Sequence, residues 1–157
     1  MKKTLLIILF ITGVCFGQTY QLAEKFYENG LPKVIKTYKE SNDKFELIIS
    51  ISVYENGQKK QETSYKDGER DGKWTNWYEN GQKKEETSYK DGKKDGKWTN
   101  WYENGEKRRE GTFKDGKEDG LWPHWYVNGQ KFYEWDYKDG KEDGLYTDWY
   151  VNGQKKS

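Results

Sequence analysis

Tyr54, Tyr78, Tyr102, Tyr126 and Tyr150 stand 24 residues apart, with no slippage anywhere in the series. The same interval separates Gly57, Gly81, Gly105, Gly129 and Gly153, and it recurs in the series from Gly68 to Gly140 and from Gly72 to Gly144. A period this strict means that each unit is one supersecondary element stacked on its neighbours, and it excludes a globular fold built around one central core. A degenerate copy precedes the regular units: it starts at Tyr27 and takes 27 residues, with the three extra ones around residues 40–44. Its apolar stretch, residues 45–53, reads as a strand that begins the sheet.

Two turn signals divide each unit. Asn80 and Gly81 form the dipeptide that best tolerates the positive φ angles of a two-residue type I′ hairpin. The stretch KDGKKDG, residues 90–96, reads as a longer Asp-Gly loop. Between them lie segments of ordinary strand length, so the unit is a hairpin and the array an all-β, elongated, single-layer antiparallel meander. With Asn80 and Gly81 as the loop, Trp77 faces Lys84, Trp74 faces Thr87 and Gly72 faces Tyr89. If the Asp-Gly loop also sets Tyr89 against Gly96, each such ring is flanked by two glycines, an arrangement that rescues glycine within strands. Alternation then places Trp74, Trp98, Trp122 and Tyr89, with Gly72 and Gly96, on a structural face. Trp77, Trp101, Trp125 and Trp149 occupy the other face, with Lys84 and Arg108 between them as a candidate contact row.

Composition fits such a thin fold. Charged residues outnumber hydrophobic ones, 35% against 32%, which approaches the disordered class, yet 17% of the chain is aromatic. Ladders of large rings and lysine stems on the sheet's own surface can replace the missing second layer. Pro123 stands where Thr75 and Thr99 stand in other units. Lacking an N–H, it should lose a ladder bond to the strand containing Glu134.

Residues 1–17 have the layout of a secretory signal peptide, with Lys2 and Lys3 ahead of an apolar run over residues 5–11. Cleavage after Gly17 is expected, and lipid modification of Cys15 is the alternative. The exported chain would keep 26 basic against 27 acidic residues and no cysteine. That balance disfavours nucleic acid and anionic lipid, and it removes disulfides and thiolate metal sites. The organisation expected is a signal peptide at 1–17, a degenerate repeat at 18–53, and four 24-residue repeats with a partial C-terminal one at 54–157.

No catalytic constellation emerges. His124 is the only histidine and stands where Asn76, Asn100 and Asp148 stand in other units, so it reads as a polar residue on a strand face. Paired aspartates such as Asp91 and Asp95 sit in Gly-rich loops, where Asp serves the turn. Neither a cofactor nor a metal is expected.

The alternation Y-x-N-G-x-x-K and Y-K-D-G-K-x-D-G-x-W resembles the MORN repeat variants (membrane occupation and recognition nexus) of bacterial proteins labelled YwqK family antitoxins. The resemblance is close over residues 54–153 and weak over 20–53. Gly72, Gly96, Gly120 and Gly144 match the repeat's glycine, and Tyr78, Tyr102 and Tyr126 its aromatic. It implies an elongated twisted β-meander with a protein-interaction or scaffold role, lipid binding being proposed for some eukaryotic relatives. The expectation is an exported, non-enzymatic repeat protein that binds a protein partner. Self-association through open strand edges is also allowed. A cell-surface glycan or choline ligand held by the aromatic ladder, or a lipid surface, is the alternative.

Overall fold

The computed structural model describes residues 18–156, so the expected signal peptide, Cys15 and the cleavage point after Gly17 lie outside the described residues. Twelve strands follow one another: β1 (Thr19–Phe26), β2 (Pro32–Ser41), β3 (Lys44–Val53), β4 (Lys59–Lys66), β5 (Glu69–Trp77) and β6 (Lys83–Lys90), then β7 (Lys93–Trp101), β8 (Lys107–Lys114), β9 (Lys117–Trp125), β10 (Lys131–Lys138), β11 (Lys141–Glu142) and β12 (Thr147–Asp148). They form one open antiparallel sheet in chain order, in which β11 and β12 both pair with β10. Residues 45–53 do form a strand, but the sheet begins two strands earlier, at β1, because the degenerate unit pairs as fully as the regular ones.

The two turns exchange the geometries expected of them. At Asn80 and Gly81, the Tyr78 N–H donates to the Gln82 carbonyl at 2.8 Å and the Gly81 N–H donates to the Tyr78 carbonyl at 3.0 Å. Three residues therefore form the loop, and within it only Gly81 has a positive φ, 85°. At the other end Asp91 and Gly92 both have positive φ, 47° and 76°, and Lys90 pairs directly with Lys93. The tight two-residue turn is thus the Asp-Gly one.

Two bulges then restore the register. Lys84 is the extra residue between the Trp77–Lys83 and Asn76–Glu85 pairs, so Trp74 still faces Thr87 and Gly72 still faces Tyr89. Trp77 does not face Lys84, because the longer loop shifts the near end of the hairpin by one residue. On the next ladder Tyr89 faces Lys94 instead of Gly96, and Asp95, Gly96 and Lys97 lie between that pair and Thr87–Trp98. Gly96 (φ 98°) and Gly72 (φ 90°) are glycines because these bulges demand positive φ. Flanking of one ring by two glycines is not found among the described residues.

Side chains join each unit to the next at both margins of the sheet. The Tyr54, Tyr78, Tyr102 and Tyr126 hydroxyls donate to the carbonyls of Trp77, Trp101, Trp125 and Trp149 at 2.8–3.1 Å, and Tyr27 does the same to Val53. Asn56 and Asn80 reach the Glu79 and Glu103 carbonyls, at 2.9 and 3.0 Å. On the opposite margin the Gly92, Gly116 and Gly140 amides donate to Arg70, Lys94 and Glu118 carbonyls at 2.8–3.0 Å. The Asp95 carboxylate there accepts from the Asp115 amide at 3.3 Å. The second Asp-Gly is therefore a bulge whose aspartate, at Asp71 and Asp95, caps the following turn.

Pro123 pairs with Glu134 after all. The loss falls on the other side, where the β8–β9 ladder passes from Arg109–His124 to Thr112–Asp119 without pairs at Glu110 and Gly111. The missing N–H is the one that points toward β8.

Candidate functional site

The Trp101 face carries one tryptophan per unit: Trp77, Trp101, Trp125 and Trp149, all half-buried. Two strands separate each from the next, about 10 Å at ordinary strand spacing. A lysine ammonium lies against every ring: Lys59 is 5.6 Å from the Trp77 centroid, Lys83 5.8 Å from Trp101, Lys107 5.9 Å from Trp125 and Lys131 4.9 Å from Trp149. Each of these lysines is neutralised by the glutamate three residues on, as in Lys83–Glu86 at 2.6 Å and Lys107–Glu110 at 2.8 Å. Glu86 and Glu110 each take a second lysine, Lys73 and Lys97, both at 3.0 Å. Burial raises the pKa of both carboxyls, but the paired lysines outweigh it and hold them below the usual value. Trp101, Thr99, Lys97, Lys107, Glu86 and Glu110 line an open groove of about 440 Å³ on this face.

The Trp98 face holds the packed core. Trp122 is 1% exposed, and Trp74 is also buried. The Trp122 ring lies 5.4 Å from Trp98, 5.1 Å from Phe113 and 6.0 Å from Tyr137. Its ring also covers Gly111, where a Cβ would stand 2.2 Å from it. Arg109 lies over Trp122 at 4.5 Å and over Trp98 at 5.6 Å, and its Nη2 donates to Glu118 at 2.9 Å. Trp98 Nε1–H donates to Glu85 at 2.6 Å. Tyr89 joins this face opposite Gly72, with the Arg70 guanidinium 5.3 Å from its ring. His124 stacks on Tyr133 at 4.0 Å. Burial, then the neighbouring Arg109 and Arg108 charges, lower its pKa to about 4.

Lys84 and Arg108 do not stand between the tryptophans of the contact row. Lys84 lies over Tyr78 at 5.4 Å and Arg108 over Tyr102 at 5.8 Å. Arg108 shares a depression with Trp98, Asn100, Arg109 and His124, which places it on the opposite face. The cause is the bulge at Lys84: a one-residue slip exchanges the faces of two adjacent cations. Sequence reasoning therefore missed Lys83, Lys107 and Lys131. The signal for Lys83 and Lys107 was the Lys-Lys or Lys-Arg doublet after the Asn-Gly turn, but no spacing rule says which member turns toward the tryptophans; Lys131 stands at the same place with Phe132 after it.

An open β-array with one face packed by aromatics and the other lined by a tryptophan–lysine row is the architecture of a hairpin-repeat protein. Residues 49–67, 70–91 and 94–115 match the family model described as MORN repeat variant, each match spanning one Asn-Gly hairpin. Repeats of this kind are generally protein- or membrane-interaction repeats. No curated protein matches the chain.

Proposed function

We propose that the protein is exported after cleavage near Gly17 and acts without catalysis, binding a protein partner through the Trp101 face. The observation that carries this reading is the row Trp77, Trp101, Trp125 and Trp149, four half-buried rings at one spacing with no second layer of strands over them among the described residues. Aromatic rings that are rigid and partly desolvated are the side chains that dominate protein interfaces. Neutralisation of a toxin outside the cytoplasm, which the likeness to antitoxin-labelled proteins suggests, is one form such binding takes. A choline-type ligand fits less well, since a lysine ammonium already lies 4.9–5.9 Å from each ring where the quaternary ammonium would go.

The test is affinity capture from the organism's envelope and secreted fractions with the intact protein as bait, followed by binding measurements on the purified partner. Trp101→Ala should weaken that binding by tenfold or more, about 1.4 kcal/mol, with a small change in melting temperature. Trp98→Ala should do the reverse, lowering the melting temperature first. If Trp101→Ala binds as the wild type does, the Trp101 face is not the contact surface.

A further inference from the structure

The doublets divide their cations into two populations. Lys59, Lys83, Lys107 and Lys131 are each paired with a glutamate. The cations on the opposite face behave differently: Lys60, Lys84 and Arg108 are the second members of those doublets, and Lys33, after Pro32, holds the same place in the degenerate unit. Lys33, Lys60, Lys84 and Arg108 form no ion pair among the described residues; each lies over the tyrosine of its own turn, at 4.6, 5.4, 5.4 and 5.8 Å. Those tyrosines cannot swing away, because each hydroxyl is bound to a carbonyl of the next unit. The result is a line of cations without an ion-pair partner among the described residues, each set on a fixed aromatic platform. The line ends where Phe132 replaces the cation and packs on Tyr126 at 4.5 Å. Turn residues Glu28, Glu55, Glu79 and Glu103 stand beside it, exposed, and none forms an ion pair with the line.

We propose that this line is a second binding surface, and that its occupant is an acidic polyproline II segment of a partner protein with a carboxylate at every third residue. The spacing carries the argument. The four cations sit on β2, β4, β6 and β8, so neighbours are two strands, about 9.5 Å, apart. A polyproline II helix advances about 9.3 Å in its three-residue turn, which places every third side chain on one side at that interval. A β-conformation segment repeats its side chains at about 6.7 Å and falls out of step after one cation. A fluid lipid surface has no fixed interval to match.

The experiment titrates the intact protein into fluorescently labelled peptides and follows anisotropy. One peptide repeats Glu-Pro-Pro; its isomer has the same composition with the glutamates contiguous. The spaced peptide should bind about tenfold tighter than the isomer, and added salt should weaken it, since the charges are exposed. The triple variant K60Q/K84Q/R108Q should lose the preference, while K59Q/K83Q/K107Q should keep it. Equal binding of the two peptides overturns the proposal, and so does undiminished binding by K60Q/K84Q/R108Q. Binding to phosphatidylserine vesicles with none to either peptide overturns it in favour of lipid. If the triple variant fails to fold, the comparison of the two peptides on the wild-type protein still decides. Because the line and the Trp101 row lie on opposite faces, Trp101→Ala should leave the peptide preference unchanged, so failure of either reading leaves the other standing.

Discussion

Gly111 shows how much one atom matters in a sheet with no second layer. It occupies the place of Thr63 and Thr87, and the Trp122 ring descends onto its backbone so closely that a Cβ would meet ring atoms at 2.2 Å. Its φ lies outside the positive range, so the constraint is steric alone. Gly111→Ala should push the ring off its seat and cost about 1–3 kcal/mol, the usual range for overpacking; chemical denaturation measures it. His124 is the second residue-scale case. Its folded pKa of about 4 lies below the ordinary 6.5. The unfolded chain therefore takes up a proton that the folded one refuses, and stability should fall as pH drops from about 6.5 to about 4. Melting curves across that range should show the step. His124→Asn, the residue at positions 76 and 100, should remove it and leave only the loss at lower pH from carboxylates such as Glu86 and Glu110, whose folded pKa values are depressed.

At the scale of the hairpin, the strand pattern and the face of every tryptophan were readable from the period of two, whereas the turns were not. Asn-Gly and Asp-Gly are both competent for a tight turn, and which one adopts it depends on a contact from outside the hairpin. Tyr78 must reach the Trp101 carbonyl and Asn80 the Glu103 carbonyl, and a three-residue loop presents both. The far register nevertheless came out right, since the bulge at Lys84 returns the residue that the longer loop removed. Candidate site residues divided along the same line: tryptophans were placed by alternation, while Lys84 and Arg108 stand at the bulge, where alternation fails. Pro123 offers a test at this scale. Pro123→Thr restores the residue of the other units and should add the missing ladder bond to β8, raising stability by about 1 kcal/mol. In a hydrogen-exchange measurement the new amide should be protected to the same degree as that of Thr99, which pairs with Glu86.

Across the whole molecule, stability is a sum over neighbours. Each strand pairs only with strands beside it or in the next hairpin, and longer contacts such as Trp98 on Trp122 reach no further than the next unit, so an interior unit can be removed if the cut respects the period. Deleting residues 78–101 joins Trp77 to Tyr102 and recreates the junction found at Trp101. The shortened protein should keep its β-type circular dichroism and melt cooperatively at a lower temperature. Removing half a unit should abolish folding, because the following strands would run the wrong way.

The gap beside Pro123 also has a mechanical meaning. Tension applied across the strands loads the ladders in series, one after another, and a series fails at its weakest member. For a pull between β1 and β10, the β8–β9 ladder, short of the pairs at Glu110 and Gly111, is that member, bridged there mainly by Trp122 lying over Gly111 and by Arg109 bound to Glu118. Stretched in this way, the sheet would part first along that line into two stiff plates, and a pulling trace would begin with one small, reproducible rupture.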